Sequence, residues 1–313
     1  MIPTLRRSAE EYVRMRRGLG YKLVSTEALL AEFVTWCEQR AITAITTESA
    51  LEWAVSSPTG STAWRAQRLS AVRVFARYRV CFDPDTEVPP VDLLPAPLRR
   101  RVPFIYTDEQ VATLMDACRQ VVSPAGKAST CAFLIGLLAC AGMRISEACL
   151  LTIGDIGTAE VQGRTFATLT IDAAKGGRAR TIPLDPSASA AIDAYLSDRG
   201  TARSGDPLIA VAGEPFAPRQ IRVHVWPRLL AHTRVGTGTE HPPRLHDFRH
   251  TMAVRRLISW YAEDVADIDA RIAWLSTYLG HADPASTYWY LQAVPELLAI
   301  AGQRGAASWQ VLP

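Results

Sequence analysis

Five segments in the second half of the chain carry polar side chains that could take part in a reaction. An arginine follows a glycine in AGMRISEACLL, and a lysine lies in the glycine turn of AAKGGRARTIPL. In RLHDFRHTMA a histidine and an arginine three residues apart share one helix face, a second histidine closes LGH, and a tyrosine follows nine residues later. These candidates are Arg144, Lys175, His246, Arg249, His281 and Tyr290. They combine cations, groups that move protons and a phenol that can act as a nucleophile.

The order of these segments resembles the tyrosine recombinase (phage integrase) family, and most of all its integrases carried by transposons. The resemblance extends over nearly all of residues 107–293, and RLSAVRVFARY is similar to the last helix of the family's N-terminal core-binding domain. HxxR alone is common by chance, but the ordered set of arginine, lysine, HxxR, LGH and tyrosine is specific. No catalytic position of the family is missing. The resemblance implies a DNA recombinase that forms a 3′-phosphotyrosyl intermediate and a Holliday junction.

The residue types also fit the cutting and rejoining of a phosphodiester. A covalent link to Tyr290 would conserve the energy of the broken bond. A free tyrosine has a pKa near ~10, so it needs a proton acceptor, for which we expect His246. Arg144 and Arg249 would contact the non-bridging oxygens as negative charge builds, and Lys175 would protonate the departing 5′ oxygen.

Other polar residues near these segments have supporting roles or competing interpretations. His281 would hydrogen-bond the phosphate, Glu147 would orient Arg144, and His250 is expected to be structural. Because two arginines supply the positive charge, we expect no metal ion and no cofactor. A metal site formed by the histidines and Asp247 would leave the arginines and the tyrosine unexplained. Two simpler alternatives are open. Lys175 would be an ordinary solvated turn residue whose role Arg178 could take, or Tyr288 would be the nucleophile in place of Tyr290.

The elements that must position these residues are mostly helices around a small antiparallel sheet. Strands at Thr165–Asp172 and Arg180–Leu184 flank the glycine turn as a β-hairpin. Apolar spacing predicts the helices of this part at residues 107–118, 128–141, 144–150, 187–198, 219–234, 244–260, 269–279 and 284–291. Trp260, Tyr261 and Trp274 are expected to be core residues. The predicted fold class is therefore mainly α with a small antiparallel β-sheet.

The first part of the chain is predicted to be entirely helical, with helices at residues 5–18, 26–39, 47–56 and 61–80. On the last of these, Trp64 belongs to the predicted core stripe. There is no acidic residue from Trp53 to Phe82, so a surface that contacts the DNA backbone is favoured over a solvated face. The predicted DNA-binding residues are Arg65, Arg68, Arg73 and Arg77.

Six prolines between Asp83 and Tyr106 predict an extended linker. The expected organisation is a helical core-binding domain at residues 1–82, a proline-rich linker at residues 83–106, a catalytic domain at residues 107–294 and a C-terminal tail at residues 295–313. The tail either packs on its own domain or, as the resemblance implies, is exchanged between the protomers of a tetramer. The expected partners are double-stranded DNA, three further copies of the chain on two DNA sites, and accessory recombination proteins.

The amino-acid composition indicates the broad class of protein. The 313 residues are 48% hydrophobic and 21% charged, with a net charge of +3, which is typical of a folded globular protein. Cys131 to Met143 is the longest uncharged apolar stretch, well short of the ~20 residues of a membrane span. Neither a signal peptide nor a CxxC pair is present, so we expect a bacterial cytoplasmic, nucleoid-associated protein with reduced, buried thiols and no membrane contact. The competing functions are a non-catalytic DNA-binding protein, a topoisomerase-like strand-passage enzyme and a metal-dependent hydrolase.

Overall fold

The computed structural model describes residues 3–58, 60–95, 101–161, 163–172, 179–200, 203–263, 267–281, 283 and 285–293. The chain divides into two compact units, residues 1–100 and 101–313. Neither unit, where described, contains a helix with the length and apolar character needed to cross a bilayer. Among the described residues helices dominate and the strands are antiparallel, so the predicted fold class is confirmed.

The N-terminal unit is a bundle of four helices: α1 (Leu5–Gly18), α2 (Val24–Glu38), α3 (Thr47–Val55) and α4 (Thr62–Arg79). Thr4, Thr46 and Ser61 accept hydrogen bonds from backbone N–H groups in the first turns of α1, α3 and α4. Phe33 and Phe75 are fully buried in the core that these helices share. Trp64 was predicted to join this core, but it is 38% exposed because it lies in the first turn of α4, at the margin of the packed stripe.

Three arginines of α4, Arg68, Arg73 and Arg79, are turned into this unit. Arg79 is 2% exposed and forms a salt bridge of 2.9 Å with the equally buried Asp83, and it donates to Ser8 Oγ at 2.7 Å. Arg73 donates to the carbonyls of Pro89 and Pro90 at 2.8 and 2.7 Å. Part of the predicted linker, residues 83–95, is therefore docked on the helical bundle instead of running free.

We expect Arg79→Leu to lower the free energy of unfolding by about 3–5 kcal/mol, because the substitution leaves the Asp83 carboxylate buried without its partner. Arg77→Leu, two residues away on the exposed side of α4, is the matched control and should change it by less than about 0.5 kcal/mol. Urea denaturation of the two variants measures the difference. Equal stability would show that the buried pair contributes little.

In the second unit, helices and a three-stranded sheet share the main hydrophobic core. The sheet consists of β1 (Ile156–Val161), β2 (Arg164–Ile171) and β3 (Arg180–Pro183), with β2 in the centre. Its antiparallel register pairs Ile156 with Leu169, and Leu169 with Ile182. A second, two-stranded sheet joins β4 (Ala210–Val211) to β5 (Glu214–Pro215). The helices are α5 (Asp108–Val121), α6 (Ala125–Ala141), α7 (Ile145–Ala148), α8 (Pro186–Arg199), α9 (Trp226–Thr233), α10 (Asp247–Ala262), α11 (Ile268–Leu279) and α12 (Ala285–Ala293).

Several local predictions need correction. β1 was missed, and the helix predicted over residues 219–234 is a π-helical turn, Gln220–Val225, followed by α9. Pro227 at the start of α9 lacks a backbone N–H, so the hydrogen-bond ladder before it widens. Trp274 was assigned to the core but is 72% exposed on α11. Of the six cysteines, Cys81 and Cys140 are exposed and the other four are buried as predicted.

Candidate active site

Arg144 is held at the start of α7 by a buried carboxylate. Its Nη1 donates to Glu147 Oε1 at 2.7 Å, and its backbone N–H donates to Glu147 Oε2 at 2.9 Å. Nη2 reaches the carbonyl of Gly280 at 3.2 Å. Glu147 is fully buried, whereas a third of the Arg144 side chain is exposed. This geometry supports the orienting role predicted for Glu147, with the guanidinium still accessible to an anion.

Arg249 lies on α10 and is only 2% exposed. Its guanidinium donates to the carbonyl of Gly142 at 3.1 Å and to that of Leu279. These carbonyls follow or end α6 and α11, so the cation is placed where two helix dipoles are negative. Burial, reinforced by the charge of Arg144, lowers the pKa of Arg249 to about 10, so it stays a cation at neutral pH.

The tyrosine predicted as the nucleophile meets a histidine, and that histidine is His250. Tyr290 Oη lies 3.0 Å from His250 Nδ1. The His246 ring packs edge-on against His250, with centroids 4.7 Å apart. His281 packs against the Tyr290 ring at a centroid distance of 6.3 Å, and its Nδ1 lies 2.7 Å from Thr287 Oγ1. His250 was predicted to be structural, yet in the structure it is the histidine in contact with the phenol.

Tyr290 is 1% exposed and belongs to a core cluster between α10, α11 and α12 that includes Val254 and Leu279. Its position is therefore set by packing. Tyr288, the rival nucleophile, is 41% exposed, and its hydroxyl lies 3.5 Å from Asp269, on the outer side of α11. Of the two tyrosines, the described structure brings Tyr290 to the histidines.

The surroundings of the site favour the neutral form of its histidines. Loss of hydration is the main cause, and the charge of Arg249 adds to it in each case. The pKa falls to about 3 for His250, falls to about 4 for His281 and is lowered for His246. A neutral imidazole offers a ring nitrogen that can accept a hydrogen bond or a proton, and its lowered pKa makes it a weaker base than a free histidine.

These lowered pKa values predict that acid destabilises the protein. Unfolding returns each histidine to a pKa near ~6.5, so the unfolded state binds more protons as the pH falls below that value. The free energy of unfolding should therefore decrease from about pH 6.5 to about pH 4, with at most about 1.4 kcal/mol per pH unit from each histidine. His250→Asn should flatten this dependence in denaturant titrations at several pH values. A slope identical to that of the unsubstituted protein would contradict the neutral state of His250.

The predicted DNA-binding arginines separate into two groups. Arg68 and Arg73 are 8% exposed, and Arg68 stacks on Trp53 at 3.8 Å from the ring centroid while it donates to the Trp53 carbonyl at 2.9 Å. Both side chains are buried and donate to backbone carbonyls inside the unit, which does not support the prediction that these two residues contact DNA. Arg65 is half-buried and Arg77 is exposed. The inward-facing arginines find acidic partners outside the stretch from Trp53 to Phe82: Arg68 pairs with Glu32 at 3.3 Å, and Arg79 pairs with Asp83.

One site residue was missed by the sequence reasoning. Arg180 on β3 donates from Nη2 to Glu147 Oε2 at 2.8 Å and from Nε to the carbonyl of Tyr278 at 2.7 Å. The signal available in the sequence is that Arg180 lies in the strand predicted after the glycine turn that contains Lys175.

Lys175 and the tail from residue 295 onward lie outside the described residues. No cluster of metal-ligating side chains occurs in the described parts of the chain.

Known proteins match both the sequence and the fold. The sequence profile of the phage integrase family matches residues 105–296. The chain is 35% identical over 318 residues to y4rB of Sinorhizobium fredii (strain NBRC 101917 / NGR234), named as an integrase/recombinase, with 99% of each chain covered. It is 30% identical to the tyrosine recombinase XerD of Caulobacter vibrioides (strain ATCC 19089 / CIP 103742 / CB 15), covering 76% of this chain and 73% of that protein.

The fold is similar to that of the Tn1549 transposon integrase in complex with transposon right-end DNA. The TM-score is 0.63 at 17% identity, with 97% of this chain and 100% of that chain covered. The XerH site-specific recombinase bound to its difH substrate gives a TM-score of 0.63 at 15% identity, with 90% and 78% covered. Together with the profile match over more than half of the sequence, these similarities show that the chain belongs to the phage integrase family and is a tyrosine recombinase, an enzyme that transfers DNA strands.

Proposed function

We propose that this protein is a site-specific recombinase, the integrase or transposase of a mobile element, that acts through a 3′-phosphotyrosyl intermediate and a Holliday junction. One observation carries the proposal: Tyr290, three histidines and the guanidiniums of Arg144 and Arg249 converge on one site. A buried phenol beside neutral imidazoles and fixed cations has the parts of a nucleophile that attacks a phosphodiester.

In the proposed step, Tyr290 Oη attacks phosphorus and the bond from phosphorus to the 5′ oxygen breaks. The 3′ phosphate stays on the tyrosine, and the 5′ oxygen leaves as a hydroxyl after it takes a proton, for which Lys175 is the proposed donor. Arg144 and Arg249 stabilise the charge on the non-bridging oxygens, and His281 donates a hydrogen bond to the phosphate. Rejoining is the reverse reaction, in which a 5′ hydroxyl of another strand attacks phosphorus and releases Tyr290.

The structure favours His250 over His246 as the first acceptor of the Tyr290 proton. His250 Nδ1 is at hydrogen-bond distance from the phenol, whereas the His246 ring contacts His250 edge-on. We therefore assign the proton transfer to His250, and we assign to His246 a contact with the scissile phosphate. Both assignments differ from the role that the sequence suggested for His246.

Double-stranded DNA is the proposed substrate, and several solved neighbours are complexes of recombinases with DNA. Strand exchange between two DNA sites requires two cuts on each duplex, which four protomers supply. We propose such a tetramer in the bacterial cytoplasm, bound to the nucleoid and assisted by accessory recombination proteins, with residues 295–313 exchanged between protomers.

Arg77 is the exposed member of the predicted DNA-binding set, and it provides a test of where the N-terminal unit meets DNA. Arg77→Gln should weaken binding to unrelated duplexes alike and lower the slope of log affinity against log salt by about one. Arg119→Gln, an exposed arginine of α5 paired with Asp116, is the control and should leave the slope unchanged. A salt slope that Arg77→Gln does not alter would assign this face of α4 to solvent.

The function is tested with DNA taken from the sequences that flank the gene, because inverted or direct repeats there are the candidate recombination sites. A duplex nicked beside the cleavage position should yield a protein–DNA adduct that survives denaturant, because the short fragment diffuses away and prevents rejoining. The adduct should also form in excess EDTA, since arginines supply the positive charge. Binding without any adduct would support a non-catalytic protein, and loss of cleavage in EDTA would support a metal-dependent hydrolase. Relaxation of a supercoiled DNA that carries two sites, without formation of a Holliday junction, would support a strand-passage enzyme.

A further inference from the structure

Arg180 completes a bridge of three side chains, Arg144–Glu147–Arg180. The Arg180 side chain is only 5% exposed, and each of its three guanidinium nitrogens donates to Glu147 or to the carbonyl of Tyr278. It binds both carboxylate oxygens of Glu147, from Nη2 to Oε2 at 2.8 Å and from Nη1 to Oε1 at 3.2 Å. Arg144 shares Oε1 through one Nη1 contact of 2.7 Å. The fork of Arg180 therefore orients the carboxylate plane, and the carboxylate in turn positions Arg144.

Arg180 also packs against the end of α11. Its Nε donates to the carbonyl of Tyr278 at 2.7 Å, and a side-chain carbon at Gly280 would lie 2.8 Å from its Nη1. The carbonyl of Gly280 is the other acceptor of Arg144, at 3.2 Å. Arg180 thus contacts both anchors of the Arg144 guanidinium, the carboxylate and the Gly280 turn.

The charges of the bridge explain why a second cation is needed. Arg144 and Glu147 alone would form a neutral pair, and the carboxylate would compete with a phosphate for Arg144. With Arg180 the bridge carries one net positive charge, and one carboxylate is shared between two guanidiniums. Burial acts to raise the pKa of Glu147, but it is lowered overall, first by the Arg180 hydrogen bond and then by Arg144.

We propose that Arg180 is a positioning residue for strand cleavage, which acts by holding Glu147 so that Arg144 is aimed at the scissile phosphate. This inference rests on the proposed function. The competing route runs through the β2–β3 hairpin: Arg180 lies on β3, five residues after Lys175, and its loss could act on the protonation of the leaving group instead.

The test compares Arg180→Gln with the unsubstituted protein on the nicked duplex. DNA affinity should change less than about threefold, whereas the cleavage rate at saturating DNA should fall about 100-fold, as expected when a reacting group is misplaced. Arg180→Lys keeps the charge but not the fork, and it should recover only part of this loss. Arg199→Gln removes an arginine of α8 that donates to the carbonyls of Pro207 and Leu208, and this matched control should cleave normally.

Two readouts separate positioning from a general structural role. Combining Arg180→Gln with Glu147→Gln should be no slower than the slower single variant, because both remove the same bridge. In Arg180→Gln the cleavage rate should begin to fall at a higher pH than in the unsubstituted protein when the pH is lowered. The reason is that the pKa of Glu147 rises when it loses the hydrogen bonds and the charge of Arg180 and keeps those of Arg144.

A substrate with sulfur in place of the bridging 5′ oxygen separates the two routes. A thiolate, whose conjugate thiol has a pKa near ~8.5, leaves without the proton that an alkoxide needs. Arg180→Gln should remain slow on this substrate, since aiming of Arg144 is still lost. Restoration of the rate by sulfur, losses that multiply in the double variant, or normal cleavage by Arg180→Gln would each overturn the inference while leaving the proposed function intact. Failure of the unsubstituted protein to form any adduct would overturn the function and this role with it.

Discussion

Tyr290→Phe is expected to bind DNA with unchanged affinity and to form no covalent adduct with a nicked duplex. The phenylalanine ring keeps the packing of Tyr290 in the cluster with Val254 and Leu279, so the fold should be preserved. The substitution removes only the hydroxyl that lies 3.0 Å from His250. Loss of the nucleophile should lower cleavage to the background of the assay. Denaturing gel electrophoresis after trapping measures the adduct.

Tyr288→Phe is the matched control, because it removes the hydroxyl of a tyrosine on the same helix that is 41% exposed. It should trap DNA at the rate of the unsubstituted protein. An adduct that persists in Tyr290→Phe and disappears in Tyr288→Phe would transfer the nucleophile to Tyr288.

Substitution of Arg249 should have the second-largest effect. Arg249→Lys is expected to reduce cleavage by about 10²–10³, because an ammonium cannot reproduce a planar guanidinium that binds two carbonyls and, in the proposed mechanism, also contacts the phosphate. Arg144→Ala should have a loss of similar size. The double variant should be little worse than the worse single one, since the two cations act as a unit. Rates from single-turnover trapping at saturating DNA measure these losses.

Arg255→Lys on the same helix is the control for this prediction. Arg255 donates to the carbonyl of Tyr106 at 2.7 Å and pairs with Asp108, on a different face of α10 from Arg249. Its substitution should leave the cleavage rate within about twofold if its effect is confined to the surface. Cleavage by Arg249→Lys at a normal rate would contradict the proposed contact with the phosphate.

Regular elements of the fold follow from local patterns in the sequence. The helix predicted over Leu5–Gly18 has the observed bounds, and the hairpin strands were placed within one or two residues. β1 escaped prediction because IGTAEV contains a glycine and a charged residue and shows no clear alternation. Among the described residues it is an edge strand paired with β2, so its conformation depends on that tertiary contact.

The candidate site was predictable as a set of residues but not as a set of contacts. Arg144 with Glu147, three residues apart, is a local signal, whereas Arg180 reaches Glu147 across 33 residues and His250 reaches Tyr290 across 40. Helical spacing placed His246 and Arg249 on one face of α10. Which histidine meets the tyrosine depends on how α12 packs against α10, and a sequence pattern does not contain that information.

Burial of charge was the least predictable feature. The inward direction of Arg68 and Arg73 depends on carbonyl partners at Trp53, Pro89 and Pro90, which are remote in sequence. An arginine-rich helix therefore has the same sequence pattern whether its guanidiniums face DNA or the interior of the domain. Trp274 illustrates the opposite error, since an aromatic residue at helical spacing is 72% exposed.

In the proposed mechanism, Tyr290 carries the DNA strand by its 3′ phosphate. The most direct measurement is mass spectrometry of the trapped adduct after digestion with protease and nuclease, combined with end labelling of the DNA. We expect a nucleotide on the peptide that contains Tyr290, attached through a 3′ phosphate, with a free 5′ hydroxyl on the released fragment. A nucleotide on any other residue, or a link through a 5′ phosphate, would contradict it.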